Sequence, residues 1–588
     1  MKKFIPNLLA TAIAFSSMEA MAAADLVLIN GKVFTAEAGQ ALQQAVAVED
    51  GKILKVGSNA EIKALADTST QVVDLAGKVL MPGMIDAHSH PIMGALDSMG
   101  STLLDEVKPL PELEQWILAE DKAGRARRAD VISIAGVSSA YWEKSRELGQ
   151  LFNQGRWTEQ PVVLNGIDGH TGWANNAMLK RLKIDAALVK SLPEKERNYI
   201  GHEADFTPTG YLAENGWDRV RSQLPEVSEE TMLEATRQAV KINNQVGITA
   251  WMDAASNAGS EDSVFELRPT EQSVGVLPLY RKLSELGELN VHVAALLIAY
   301  PQSKPADLEA QAKVMQQFKD VPNLTFPGLK IFADGILEFP GQSAAVLEPY
   351  KNSQKKGELL IDPANFGKLV AAAEQHNWIM HVHAVGDRAV REALNGFEYA
   401  RTLNPKPMAH SIGHIQLIDP QDFPRFKQLG VIADMQLLWA TAESYTEELV
   451  KPYINASAYR YMYPAQSLHK AGAVIAGGSD WPVSSPNPWN AIAQASTREG
   501  PLGVLNSAES IDRETMFYAY TINAAKALRL EQQIGSLAPG KQADLIVLDR
   551  DVFKVNDAEL FDTQVLQTYF AGKPVYQASA TPDVAQAQ

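Results

Sequence analysis

From position 24 onward, apolar and polar residues alternate at a period of two through DLVLINGKVFT, AVAVEDGKILKVG and TQVVDLAGKVLMPG. That period puts successive side chains on opposite faces of a strand, and the Asn30-Gly31 and Asp50-Gly51 pairs are favoured hairpin turns. A matching passage lies near the other end of the chain, IGSLAPGKQADLIVLD followed by QVLQTYFAGKPVYQ. Neither flank offers enough strands for a core of its own. Residues 25–82 and 531–577 are therefore expected to build one small β-sandwich domain together, against the alternative of two unrelated β modules.

Between these flanks the pattern changes. Short β-branched runs alternate with helical stretches, as in repeated βα units: ISIAG, VVLNG, GITAWMDA, VHVAALLIAY, GLKIFADG, WIMHVHAVGD, SIGHIQL, GVIADMQ and AVIAGGSD. Residues 83–530 are expected to form an α/β domain of the (β/α)8 TIM-barrel class. A stretch at about 137–227, rich in Trp, Asn and Gly, fits the repeat poorly and reads as an insertion subdomain over the barrel. The small polar residues 578–588 read as a disordered tail.

The first 24 residues read as a cleaved signal peptide rather than structure. Lys2 and Lys3 precede a mostly apolar run from Phe4 to Phe15, and Ala20-Met21-Ala22 and Ala22-Ala23-Ala24 are competing cleavage triplets. The alternative is an uncleaved anchor, but the run is shorter than the ~20 residues a span needs. The protein is thus expected to be exported, periplasmic or secreted from a bacterium, and free of the membrane after cleavage.

The composition is ordinary for a globular chain, 46% hydrophobic and 21% charged. A net charge of −17 argues against nucleic acid, whose binding needs a basic face, and against an anionic membrane surface. The chain has no cysteine, so thiolate metal sites and cysteine nucleophiles are excluded. Any metal must be held by imidazole, carboxylate or something less usual.

The sharpest chemical signal is Asp86-Ala87-His88-Ser89-His90, directly after the apolar run VLMPGMI. Residues two apart share a strand face, so His88 and His90 present two imidazoles where a strand ends. Further candidates end other apolar runs: Lys330 in GLKIFADG, His383 in WIMHVHAVGD, His414 in SIGHIQL and Asp480 in VIAGGSDWPV. Residues at the C-terminal ends of barrel strands converge on one face even when far apart in sequence.

With these motifs the chain resembles the amidohydrolase superfamily, within it the amidohydrolase-3 branch. The resemblance extends over NGKVFT, PGMIDAHSHP, DGHTGWAN, PTGYLAENGW, GITAWMDA, LKIFADG, HAVGDRAV, GSDWPV and GSLAPGKQADLIVLD. It implies that His88, His90, His383, His414 and Asp480 hold a divalent metal, expected to be zinc, as one or two ions. Lys330 falls where related proteins carry a carboxylated lysine bridging two ions. Asp480 would also act as general base and then acid.

The implied reaction is hydrolysis of an amide or related C–N bond in a small molecule. Deamination, hydrolysis of an ester, lactone or phosphotriester, and a non-catalytic exported binding role are the alternatives. A homodimer is the expected assembly.

Other residues carry two readings. His170 in NGIDGHTGWANN either reaches the substrate as a catalytic or binding group or, with Asp168 and Asn175, ties a loop together. Asp168 and Trp481 are candidate substrate contacts, with Trp489 and Arg498 as further pocket contacts. His381 shares the strand face of His383 and competes with it as ligand; the HAVGD motif favours His383. His414 follows Gly413 where relatives carry Glu. Asp387 and Arg388 either orient His383 or cap a helix; Asp253 reads as a hydrogen-bonding support, and Trp173 and Trp217 either line an apolar pocket or, the favoured reading, fill the core of the insertion.

Overall fold

The computed structural model describes residues 23–104, 106–259, 262, 264, 267–404, 406 and 408–579. The expected signal peptide, apart from residues 23 and 24, and the expected tail, apart from 578 and 579, lie outside the described residues.

Eight strands form one parallel sheet: β1 (Met84–Ser89), β2 (Ile248–Asp253), β3 (His292–Ile298), β4 (Leu324–Phe332), β5 (Ile379–Ala384), β6 (Ser411–His414), β7 (Ile432–Met435) and β8 (Val474–Gly477). Each pairs with its neighbour in chain order, so the sheet runs from β1 round to β8. Its two edges meet at the C-terminal end. There the Asp480 N–H donates to the His88 carbonyl at 2.7 Å, and the Ser479 N–H and hydroxyl donate to the Asp86 carboxylate at 2.9 and 2.5 Å. With helices around it, this is a (β/α)8 barrel.

β5 shows how the pattern is spent. Met380, Val382 and Ala384 join the outer core with the surrounding helices. Ile379 joins an inner cluster with Ala250, Leu296 and Ile432, which Ala524, Ala525 and Leu528 plug from the N-terminal end. His381 and His383 share the inward face of Ile379 by the two-residue period. Likewise Leu329 and Ile331 of β4 face outward, leaving Lys330 to point inside. An interior that is apolar at one end and polar at the other thus comes from the order of residues along each strand.

Both chain ends supply the flanking sheets. One runs 52–57, 45–49, 26–29, 71–74, and the other runs 32–33, 79–82, 545–548, 565–570, 573–577. Leu545, Ile546 and Val547 pair antiparallel with Pro82, Met81 and Leu80, and Leu26, Val46, Leu80, Leu545 and Tyr569 share one core.

The chain between β1 and β2 makes a separate six-stranded sheet in the order 200–202, 208–213, 171–174, 162–166, 131–137, 127–128. This corrects two expectations. ISIAG and VVLNG are strands of this sheet rather than of the barrel, and its strands begin at Arg127, upstream of position 137. The reason is that Val131–Val137 and Val162–Gly166 pair in parallel across the helix Ser145–Phe152, so locally they are a genuine βαβ unit. Sequence pattern reports such a unit but not which sheet owns it. Trp173 and Trp217 are buried in this subdomain's cores; Trp173 meets the core reading alone, whereas Trp217 also lines a cavity at the barrel mouth.

Gly328 marks a close approach inside the barrel wall. A Cβ there would lie 2.0 Å from the Ile379 carbonyl oxygen of the next strand. Gly328→Ala is expected to force β4 and β5 apart and destabilise the fold by about 1–3 kcal/mol. The check is the calorimetric melting temperature, which should fall; an unchanged melting temperature would contradict the tight register.

Candidate metal centre

The strand ends bring His88, His90, Lys330, His383, His414 and Asp480 to one mouth, where all six line a cavity of about 640 Å³. His88, Lys330, His383, His414 and Asp480 are buried. Asp480 Oδ1 lies 3.4 Å from His88 Nε2 and 3.3 Å from His90 Nε2, and Oδ2 lies 3.9 Å from His414 Nδ1. Ligating atoms of His88, His414 and Asp480 fall within 4.8 Å of one another. Donors about 2.0–2.1 Å from a tetrahedral ion sit about 3.3 Å apart. The contacts of Asp480 with His88 and His90 match that edge.

His414 supplies the strongest test of fit. Both its ring nitrogens are buried with no hydrogen-bond partner among the described residues. Orphaned buried polar atoms are costly, and a metal ion is one standard reason for them. The His383 ring stands 4.5 Å from that of His414, and its Nε2 lies 3.2 Å from the Gly335 carbonyl. Burial, with neighbouring positive groups, holds His88, His383 and His414 well below the usual imidazole range. They are therefore neutral, the form that binds metal. Burial pushes Asp480 up, but the hydrogen bond from His90 and the charges around it win and hold it down to about 2.

A second combination, His88, His381 and Asp434, also brings ligand-type atoms close. It is less suited to an ion. His381 Nε2 lies 2.7 Å from His88 Nδ1, a hydrogen-bond length too short for two ligands of one tetrahedral ion. His381 Nδ1 is in turn 2.7 Å from the Ser411 hydroxyl. His381 thus orients His88 from behind, and only His383 of the two reaches the cavity.

Lys330 Nζ lies 3.3 Å from His88 Nε2. Burial lowers its pKa to about 8, against the pull of Asp480 and Asp434. A minor fraction, far larger than for an exposed lysine, is therefore free amine near neutral pH.

His170 enters from the insertion. Its ring stands 5.3 Å from that of His383, its Nδ1 lies 3.0 Å from Glu214 Oε2, and the Ser343 hydroxyl donates to Glu214 Oε1. Burial lowers the His170 pKa, but Glu214, Asp168 and Asp480 together raise it above the ordinary value. Asp168 lines the cavity too, yet its carboxylate accepts from the His170 and Thr171 N–H groups and from the Ser139 and Thr171 hydroxyls. The loop-tying reading therefore describes Asp168, and the cavity-facing reading describes His170.

The other expectations divide. Trp481 lines the cavity, packed where a Cβ on Gly94 would meet it at 2.4 Å. Trp489 and Arg498 do not line it, which corrects the expectation of pocket contacts. Trp489 is core, and Arg498 is fully buried with its guanidinium donating to the Leu505, Tyr463 and Met462 carbonyls. Asp253 accepts from the Tyr280 hydroxyl at 2.6 Å. Asp387 accepts from the Leu347 N–H at the start of the helix Asp387–Leu403. The carboxylate beside His383 is instead Asp334, at 3.8 Å, which accepts three backbone N–H bonds from Ala345, Val385 and Gly386.

Asp86, Glu214, Asp334, Asp434 and Trp439 went unassigned from sequence. Asp86, Glu214 and Asp334 sit inside the motifs DAHSH, LAENGW and FADG, so their place beside a chemical residue was the available signal. Trp439 stacks on His414 with ring planes 8° apart, and no local pattern announces that.

Three residues at the site also adopt left-handed backbone. His414, Ile415 and Asp480 have φ of 77°, 47° and 55°, a region costly for side chains with a Cβ. Such strain gathers at functional sites, where surrounding structure enforces it.

The amidohydrolase family model matches residues 71–576. The chain belongs to the amidohydrolase family. Among the relatives of this amidohydrolase, "Protein LONG AFTER FAR-RED 3" of Arabidopsis thaliana is 28% identical over 94% of the chain and 92% of the relative. N-substituted formamide deformylase of Arthrobacter pascens is 24% identical over 95% of the chain and 99% of the relative. An uncharacterized metal-dependent hydrolase from Pyrococcus horikoshii shares the fold, with a TM-score of 0.67 at 22% identity, covering 91% of this chain and 99% of that one. Membership makes the protein a metal-dependent hydrolase.

Metal content separates the two histidines of β5. His414→Ala and His383→Ala are expected to lose bound metal on dialysis against a zinc buffer, as measured by elemental analysis. His381→Ala should bind about 10–100-fold more weakly, the usual cost of losing a ligand's hydrogen-bond partner. Full loss in His381→Ala, with retention in His383→Ala, would reverse the assignment.

Proposed function

We propose that this amidohydrolase cleaves an amide or related C–N bond of a small molecule outside the cytoplasm. His88, His90, His383, His414 and Asp480 are the metal-holding residues in this reading, with zinc the expected ion. The observation that carries it is His414, buried beside Asp480 with neither ring nitrogen satisfied. The name of the formamide deformylase relative supports the choice of a C–N bond. Export rests on the leader-like first 24 residues.

A divalent cation bound here supplies the Lewis acidity that makes water nucleophilic near neutral pH and polarises a carbonyl. The protein's own groups do the rest. Asp480, ionised because its pKa lies near 2, accepts the proton of the attacking water and delivers it to the leaving nitrogen. His170 is held by Glu214 on the opposite wall, where it can donate to the substrate carbonyl oxygen. Trp217, Phe332 and Trp481 line the larger cavity, which suits a bulky, largely apolar portion of the substrate.

Asp480→Asn keeps an oxygen donor but loses the base. It should retain some metal while kcat falls by about 10²–10⁴-fold, the usual contribution of a positioned base. A panel of N-acyl and N-formyl compounds, with ester and lactone controls, is the assay; near-normal turnover would refute the assignment.

Lys330 as free amine can add carbon dioxide, forming a carbamate and releasing one proton. The neutral amine becomes an anion in that step, and counted from the ammonium form two protons leave; the carbamate would offer oxygen ligands to a divalent cation. The intact protein from bicarbonate-supplemented buffer should weigh about 44 Da more than its mature sequence, a covalent change visible in native mass spectrometry. Lys330→Ala should lack that mass and bind at most one ion. Unmodified lysine with full activity would leave a single-ion centre.

A further inference from the structure

Beside His170 lies a second, smaller cavity of about 80 Å³, which shares Asp168, His170, His383, His414 and Asp480 with the large one. Gln416, Trp439, Glu443 and Tyr445, with the apolar Ile336 and Val385, line the recess alone, and no lysine or arginine lines it. The recess therefore sets the carboxylates of Asp168, Glu443 and Asp480 among apolar walls, and His170 at its entrance is already engaged by Glu214.

Gln416 adds an independent observation. It lies two residues beyond His414, is only 4% exposed, and its Oε1 is buried with no hydrogen-bond partner among the described residues. The indole Nε1 of Trp439 is likewise buried and unpartnered. An unmet amide oxygen in an acidic recess calls for an N–H donor, while the unmet indole N–H can serve an oxygen of the same ligand.

We propose that this recess is a specificity subsite for a short, N–H-bearing substituent on the scissile carbonyl, with Gln416 as its acceptor. It rests on the metal-hydrolase reading above and adds the substrate class. The preferred substrate has a short amino- or ureido-bearing acyl side in the recess and a bulkier, more apolar amine side in the large cavity. Size argues the same way. The recess admits only a few heavy atoms, whereas the large cavity is in the range of ordinary ligand pockets.

Two isosteric metal-binding probes test this without relying on turnover: glycine hydroxamate, with a terminal ammonium, and propionohydroxamate, with a methyl in its place. Titration calorimetry on the metal-loaded protein should give glycine hydroxamate at least about ten-fold tighter binding, the usual scale of a charge-assisted hydrogen bond. In Gln416→Leu that advantage should shrink by most of its size. Equal affinities in the wild-type protein overturn the subsite while leaving the metal centre standing, and this comparison needs no variant. A preference unchanged in Gln416→Leu also overturns it. If neither hydroxamate binds the metal-loaded protein, the hydrolase reading falls and the subsite with it.

Discussion

Taking ionisable groups out of water is expensive, and this barrel buries His88, Lys330, His381, His383, His414, Asp86, Asp334, Asp434 and Asp480 in and behind one mouth. Isolated, each would cost several kcal/mol or abandon its charge. The structure answers in three ways. Carboxylates that stay behind the site are capped by donors, as Asp334 is by three backbone N–H groups and Asp86 by Ser479 and the His88 N–H. Imidazoles are held neutral by burial. Some atoms stay unsatisfied, Asp434 Oδ2 among them, and the His414 ring beside the ionised Asp480 is the part that a cation completes. Most other features of the site follow from the need to keep that part in place.

The closure of the barrel serves the same end. One contact, the Asp480 N–H on the His88 carbonyl, joins the first and last strands and sets two metal-type residues side by side. The left-handed backbone at Asp480, and at His414 and Ile415, is tolerated because packing on every side enforces it. The insertion then covers the mouth and contributes His170. Its hold runs through Glu214 to Ser343, whose hydroxyl also accepts from the Ile336 N–H in the segment after β4. A catalytic barrel and a covering subdomain are thus tied by one polar chain, and cavities of unequal size and charge open on the two sides of it.

Much of this was legible beforehand because it depends on local order. Period-two alternation predicts strands, and an apolar run ending in His, Lys or Asp predicts a strand end carrying chemistry. The barrel class and the gathering of His88, His90, Lys330, His383, His414 and Asp480 both came from such runs. The preference for His383 over His381 needed the HAVGD motif as well, since both share one face and local pattern cannot rank them. The residues that went unseen are those whose meaning is a partner far away in sequence. Asp334 beside His383, Glu214 on His170 and Trp439 over His414 are of this kind.

The amino-acid order by itself determined which segments are strands, which strand ends carry ligand-type side chains, and that no thiol takes part. Those are matters of short-range periodicity and residue chemistry. Tertiary structure decided which sheet each strand joins, so that ISIAG and VVLNG left the barrel for the insertion. It decided that Arg498 and Trp489 lie in the core instead of the pocket, and that Gln416 faces a small acidic recess. The physical reason is common to all of these. Pairing, burial and unmet hydrogen bonds are relations between distant residues, and they acquire values only once the chain has closed on itself.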